Sequence, residues 1–348
     1  MDERSAETDE IVRRDRVAVT AVIAAYNEEE YIGSCIAGLL AQQAVPGDFE
    51  ILVVDGMSTD RTADVVRSFP EYGTRVRLVY NRLKLQVYAW NIGLRDMRGE
   101  YFAMITAHAQ YAPDYLARCL ETLERTGAAA VGGVPHASGE GWIGRAVAWC
   151  MSTPFGVGGA RFRYLRREEE CDTVPLIFAR RDLIERLGGW DESIAFDEDS
   201  DLAYRIRAAG GKLVVSPSIR LRYFVRRSLR SLCKQMFRYG YWRRFTQLKH
   251  PGVVPVRVLA PAALVAGFAA SALLLFTPLR ILSGVIPGSY AAFLLVAMLA
   301  SAPQLGPGAV CVPATLGVMH ASYGVGWWKA FAFLHSALSG KRRRSLAR

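Results

Sequence analysis

From Val17 onward, short apolar runs alternate with stretches in which apolar residues recur at helical spacing. VAVTAVIAAY (17–26) reads as a buried strand, and Ile32, Cys35, Ile36, Leu39 and Leu40 then fall on one face of a helix. FEILVVD (49–55) is the next strand, followed by STDRTADVVRSF (58–69), where Ser58, Thr59 or Asp60 is placed to cap a helix. RVRLVY (75–80) and EYFAMI (100–105) read as the third and fourth strands, with QVYAWNIGLRDM (86–97) as the helix between them. Pro113 opens a further helix on Leu116, Cys119, Leu120 and Leu123, and GAAAVGGV (127–134) closes the series. Strand and helix in strict alternation predict an α/β domain, Rossmann-like, with a mostly parallel sheet covered on both faces. Ligands of such sheets bind beyond the carboxyl ends of the strands. That rule aligns Tyr26-Asn27-Glu28, Asp55 and Thr106-Ala107-His108 along one crevice.

The period then weakens. Gly132–Arg167, rich in Gly and Arg, is expected to be a substrate-facing loop region. Order returns from Cys171 with a short strand, a helix, a turn, and an acidic cluster opening another helix at LAYRIRAAGG. Further on, Val258–Thr277 runs twenty residues without a charge, and Ile281–Trp328 forty-eight more, with a break near APQLGPG. Runs of this length match a bilayer core and predict two to three spans.

Charge sharpens the division. Between Met1 and Asp201, 33 acidic residues face 22 Lys and Arg, a net −11; from Leu202 to Arg348 there are 21 Lys and Arg and no acid, a net +21. A basic half of this kind meets an anionic surface. Nucleic acid is the obvious rival, but the uncharged apolar runs in the same half favour membrane, so no nucleic-acid partner is expected. The six cysteines (35, 119, 150, 171, 233, 311) show no CxxC spacing and read as reduced packing residues. The opening MDERSAETDE has no apolar core and reads as a disordered lead-in over 1–15 rather than a signal peptide.

The chemistry concentrates in Asp191, Glu192, Asp197, Glu198, Asp199 and Asp201. Acids at a helix N-terminus are favoured by the macrodipole. Capping explains one or two of them, and six within eleven positions exceed that need. A carboxylate here is placed to act as a general base toward a hydroxyl nucleophile.

Four blocks in order, VIAAYNEEEYIGSCIAGLLAQ, EILVVDGMSTDRTADVV, AWNIGLRDMRGEYFAMI and GGWDESIAFDEDSDLAYRIRAAG, resemble the inverting family 2 glycosyltransferases of GT-A fold over roughly residues 17–245. The nearest look is to bacterial succinoglycan-type exopolysaccharide glucosyltransferases. The resemblance implies a hexosyltransferase working by a single inverting displacement. It implies that Ala25, Tyr26 and Glu28 form the first nucleotide-binding turn, that Asp55 reads the base, and that Asn91 closes over the nucleotide. It implies Asp199 as the catalytic base, with Glu198 and Asp201 as orienting or acceptor-binding neighbours. Thr106-Ala107-His108 stands where the family writes Asp-x-Asp, or Asp-Ala-His in the closer group. Thr106 then lies against the donor, and His108 is the implied ligand of a divalent cation, Mn²⁺ or Mg²⁺, without the usual first carboxylate. Gln235 and Arg238 occupy the place of the Gln-x-x-Arg-Trp of processive members, with Tyr239 for the Trp. Arg238 there serves the departing diphosphate, or belongs with its basic neighbours to an interfacial helix. The second reading of the whole chain is a catalytically silent GT-A protein binding nucleotide or acceptor within a polysaccharide assembly complex.

The expected organisation is a lead-in at 1–15, a GT-A catalytic domain at 16–225, a basic interfacial helix region at 226–256, a membrane region at 257–340 and a basic tail at 341–348. Sugar nucleotides are cytosolic. The implied partners are a nucleoside-diphosphate sugar, a lipid-linked or glycan acceptor, and the inner membrane, crossed several times with the catalytic domain cytoplasmic. Arg243, Arg244, Lys249 and Arg257, just before the first span, agree with the positive-inside rule. WWKAFAFLHSAL is expected as an interfacial helix anchored by Trp327 and Trp328.

Overall fold

The computed structural model describes residues 17–251 and 256–346, with side chains through 251 and from 258 to 334. The lead-in expected at 1–15 lies outside the described residues, as do the side chains of Arg257 and of the tail 341–348. The chain forms two compact units: one of the residues up to His136 with Tyr164–Tyr223, the other of Ala137–Arg163 with the residues from Phe224 on.

The first unit is built on a mixed sheet of order β3-β2-β1-β4-β8-β6-β9-β5, with β7 paired to β9. The predicted runs supply its parallel half: β1 (Val17–Ala25), β2 (Asp48–Asp55), β3 (Val76–Tyr80) and β4 (Tyr101–Thr106). β1, β2 and β4 bury both faces, which is why they read as largely apolar runs, while β3 at the sheet edge is only partly buried. On one face Val19, Ala21, Ile23, Ile51, Val53, Ala103 and Ile105 form a single core with two helices, α1 (Ile32–Leu40) and α4 (Tyr115–Thr126). On the other face lies α3 (Gln86–Asp96). It approaches so closely that a Cβ on its Gly93 would collide with Val22. Helix α2 (Thr62–Arg67) follows β2.

The other half of the sheet is antiparallel. β8 (Phe178–Arg180) runs against β4 and β6 (Ala130–Ser138), and β9 (Leu213–Phe224) pairs with β5 (Ala109–Tyr111) and β7 (Glu169–Glu170). Strict alternation does not predict this half. Most of its strands have two or three residues, too few for a period. β9 contains Pro217, which interrupts its pattern, although Ile219, Leu221 and the exposed Arg220 and Arg222 alternate beyond it. Helices α7 (Arg181–Arg186) and α8 (Glu198–Ala208) fall where the returning pattern predicted them.

The expected loop at Gly132–Arg167 is instead ordered in large part. After β6 it forms α5 (Gly141–Met151) and the short α6 (Pro154–Val157). Glycine interrupts the helical pattern in sequence, but Ala146, Val147, Trp149, Cys150 and Met151 are all buried. Tertiary packing, not propensity, makes this helix.

In the second unit α9 (Leu229–Lys249) precedes α10 (Ala260–Leu274), α11 (Val285–Leu305) and α12 (Val312–Leu346). The break expected near APQLGPG falls at Gly306, whose φ of 55° ends α11. WWKAFAFLHSAL is not a separate helix but part of α12, a helix of 35 residues. At 1.5 Å per residue it is about 50 Å long, beyond the ~30 Å of a bilayer core. Among the described residues, the helical stretch Arg280–Leu334 is long and apolar enough to cross a membrane, with mean hydropathy 1.9 and 6% burial in its most apolar window. The 15 residues of α10 span only about 22 Å.

Helices α9 and α12 meet through glycine. A Cβ at Gly240 would strike the Tyr323 carbonyl, and one at Gly326 the Phe237 carbonyl. Trp327 Nε1 donates to Gln247 Oε1 at 2.7 Å, and the Arg244 guanidinium lies 5.0 Å from the Trp327 ring centre. Small residues that admit close backbone approach are typical of helix contacts in membranes. Gly240→Leu is therefore expected to lower stability by about 1–3 kcal/mol. It would be read as a lower melting temperature of the detergent-solubilised protein. Gly317→Ala, where a Cβ meets nothing within 4 Å, should not lower it.

Candidate active site

The register of the parallel strands places the site. Ala25 lies opposite Asp55, Asp55 opposite Tyr80, and Ala24 opposite Thr106. The loops after β1 and β2 are then stitched together. Asn27 N donates to Ser58 Oγ at 2.9 Å, Thr59 N to Asn27 Oδ1 at 2.8 Å, and Glu28 N to Thr62 Oγ1 at 2.8 Å. The N-cap of α2 is Arg61, which makes no side-chain cap bond, and Asp60 before it accepts from Thr62 N at 3.0 Å.

Asp55 is buried, and Ser58 donates to it from its hydroxyl and, at 3.1 Å, from its backbone N–H. Each carboxylate oxygen keeps a further lone pair for a ligand. Ala25 is buried and contributes its backbone, its carbonyl accepting from Gly56 N at 2.7 Å. Tyr26 is exposed, and Lys84 Nζ stands 5.8 Å from its ring centre, within cation–π reach. The loop after β3 is set by Asn81, whose N–H donates to the Asp55 carbonyl at 2.7 Å and whose side chain donates to the Leu85 carbonyl at 2.8 Å. Lys84 itself holds φ at 65°, as Asn27 (55°), Met57 (61°) and Asp197 (103°) hold theirs. Such conformations in non-glycine residues persist only where surroundings over-determine them, and they gather at functional sites.

The turn after β4 is held by Tyr111. Its hydroxyl accepts from Thr106 N at 2.8 Å and donates to the Thr106 carbonyl at 3.2 Å. Thr106 Oγ1 stands 3.3 Å from His108 Nε2, and Glu28 Oε1 stands 3.4 Å from His108 Nδ1. Among the described residues no group of three or more His, Cys, Asp and Glu gathers at a spacing that would hold a metal ion.

The acidic loop is fixed from α3. Trp90 is buried and donates from Nε1 to Glu198 Oε1 at 3.3 Å, while Asp197 N donates to Glu198 Oε2 at 3.0 Å. Burial, and then the charge of Asp199, push the Glu198 carboxyl up from 4.5 to about 8. Asp199 is half-buried in the first turn of α8, with Ser200 N donating to its Oδ1 at 2.7 Å. The result is two adjacent carboxyls in contrasting environments, the arrangement that separates acid and base roles.

A profile described as glycosyl transferase family 2 matches residues 20–188, and one described as glycosyl transferase family group 2 matches residues 176–304. The chain is a family 2 glycosyltransferase. This glycosyltransferase is 28% identical over 312 residues to the succinoglycan biosynthesis protein ExoA of Rhizobium meliloti, covering 88% of this chain and 93% of that one. It is 28% identical over 230 residues to the dolichyl N-acetyl-alpha-D-glucosaminyl phosphate 3-beta-D-2,3-diacetamido-2,3-dideoxy-beta-D-glucuronosyltransferase of Methanococcus voltae, covering 64% of this chain and 71% of that one. Its fold matches a Pyrobaculum calidifontis mannosyltransferase, solved in complex with GDP-Man and Mn²⁺, at a TM-score of 0.56 and 23% identity over 91% of this chain and 87% of that one. The fold is GT-A.

Three of the residues assigned from sequence have close partners within the protein. Asn91 is bound to the acidic loop. Its Oδ1 accepts from Trp190 N at 2.8 Å, and its Nδ2 donates to the Trp190 carbonyl at 2.9 Å and to Glu192 Oε1 at 3.0 Å. Asp201 has no exposed surface and pairs with Arg205 Nε at 2.8 Å. Glu198 is buried and faces inward to Trp90. Gln235 and Arg238 lie on α9 of the second unit, where Gln235 Nε2 donates to Tyr239 Oη at 3.0 Å. Sequence reasoning passed over Asn81, Lys84, Trp90 and Tyr111. The one available signal was that Trp90 adjoins Asn91 in the quoted AWN block.

The Glu198 carboxyl has a folded value above its unfolded one, so its stabilising contribution is whole below pH 4.5 and is lost as pH rises to about 8. Wild-type stability is expected to decline across that window. Glu198→Gln, which still accepts from Trp90, should flatten the decline when melting temperature is followed against pH.

Proposed function

We propose that the enzyme transfers a sugar, with inversion, from a nucleoside-diphosphate sugar, UDP-linked in our reading, to a lipid-linked or polysaccharide acceptor at the membrane. The observation that carries the chemistry is the contrast between Glu198, buried against Trp90, and, beside it, half-exposed Asp199. Its carboxylate takes the proton of the acceptor hydroxyl as that oxygen attacks the anomeric carbon opposite the leaving diphosphate. Asp55 accepts an N–H of the base, Tyr26 and Lys84 flank it, and Asn91 positions the acidic loop without touching the donor. Thr106, at the end of β4, lines the donor side.

The donors around Thr106-Ala107-His108 are an imidazole, a hydroxyl and a neighbouring carboxylate. That set fits a divalent cation that completes its shell with substrate phosphates, with His108 as a ligand. When bound, such an ion neutralises charge on the departing diphosphate. Mn²⁺ is bound in the Pyrobaculum mannosyltransferase.

The second unit supports a multi-pass inner-membrane location with the catalytic unit cytoplasmic. Phe276 and Ile281 are 89% and 86% exposed, a costly arrangement in water and an ordinary one in lipid. By their names, the Methanococcus relative acts on a dolichyl-linked sugar phosphate and the Rhizobium relative belongs to succinoglycan biosynthesis. Both names fit a lipid-linked or polysaccharide acceptor, and with it membership of a polysaccharide assembly complex.

Asp199→Asn is expected to cut transfer by about 10²–10⁴-fold with UDP binding intact, measured by product formation and thermal shift on the solubilised protein. Transfer at the wild-type rate would remove Asp199 from the base role. The catalytic unit should be digested by protease added to inverted inner-membrane vesicles and protected in right-side-out ones.

A further inference from the structure

Position 106 lacks the carboxylate that a hard dication favours, and the His108 imidazole is neutral when it binds a metal. The missing anion is close by on a different strand. β1 and β4 are adjacent and parallel, with Ala24 opposite Thr106, so the loops that leave them emerge side by side. This brings Glu28 Oε1 to 3.4 Å from His108 Nδ1, with both side chains partly open to solvent.

We propose that Glu28 supplies the carboxylate absent from position 106, so that Glu28 and His108 together hold a divalent cation across the ends of β1 and β4. The proposal rests on the donor reading above, since the donor's diphosphate provides the remaining ligands.

Neighbouring ligand atoms each about 2.1 Å from one octahedral ion lie roughly 3.0 Å apart. The observed 3.4 Å is within a small side-chain adjustment of that spacing and exceeds the ~2.7–3.2 Å of a direct N–H···O bond. Both supports are rigid. The Glu28 backbone is tied at N–H to Thr62 Oγ1, and its carbonyl accepts from Tyr31 N and Ile32 N at 2.9 and 2.8 Å. The turn bearing His108 is clamped by Tyr111 at Thr106. Neither residue's backbone depends on the side-chain pair, so both side chains are available to an ion. The Thr106 hydroxyl, 3.3 Å from the His108 ring, adds a weak neutral donor. One imidazole, one carboxylate and substrate phosphates make an open site of the sort Mg²⁺ and Mn²⁺ occupy in phosphate chemistry.

The test is Mn²⁺ binding by the full-length solubilised chain in the presence of UDP, followed by electron paramagnetic resonance or calorimetry rather than turnover. Glu28→Gln and His108→Ala are each expected to weaken Mn²⁺ at least about ten-fold. Adding Thr106→Asp to Glu28→Gln should restore the affinity, because a carboxylate returns to the same ion from the neighbouring strand. Melting temperatures in chelator check that the variants fold, and UDP binding in chelator reports the donor site separately. Wild-type Mn²⁺ affinity in Glu28→Gln overturns the assignment of Glu28. An absence of Mn²⁺ binding by the wild type with UDP bound leaves Glu28 and His108 as an ion pair and overturns it too. Loss of UDP binding by the wild type in both metal and chelator would instead count against the transferase reading.

Discussion

Two neighbouring residues of one helix hold the acidic loop in place. Trp90 binds the Glu198 carboxyl, and Asn91 binds the Trp190 backbone at both N–H and carbonyl. The loop they grip comes about a hundred residues later in the chain and has a left-handed Asp197 at its centre. Trp90, Trp190 and Phe102 pack together beneath it, with Phe102 and Trp190 ring centres 4.8 Å apart. Removing a partner from a buried amide or carboxyl costs about 1–3 kcal/mol, and here it would also release Asp199 from its position. The placement of Asp199 is thus a property of α3, which itself is held against the sheet by the close approach of Gly93 to Val22.

At the other side of the strand ends the constraint is backbone strain kept in order by side-chain bonds. Asn27, Met57 and Lys84 each turn left-handed directly after a parallel strand. The bonds between the loops, chiefly those of Asn27 with Ser58 and Thr59, confine them. A stitched rim of this kind fixes the backbone that presents Asp55, Tyr26 and Glu28.

The parallel half of the sheet was legible because strands buried on both faces have no choice but to be apolar throughout, and their helices keep a clear period. The antiparallel half was legible only at GAAAVGGV and the short strand after Cys171, since two- and three-residue strands carry little pattern and Pro217 interrupts β9. Helix α5 went unseen because glycine breaks its stripe. Among site candidates, Asp55, Thr106 and His108 stand at or just past the strand ends where the pattern puts them. For Asn91 and Asp201 the sequence does not show the partners: a polar side chain in sequence looks available. Whether it is spent on a partner, as Asn91 is on Trp190 and Asp201 on Arg205, depends on contacts the local pattern does not contain.

The Tyr111 clamp bears on how this enzyme can change over time. A turn usually relies on its own side chains to keep its shape, so altering one alters the turn. Here a hydroxyl five residues away satisfies both the N–H and the carbonyl of Thr106. The backbone is therefore indifferent to what position 106 carries, and that position is open to drift, or to redesign, while its neighbours keep their aim.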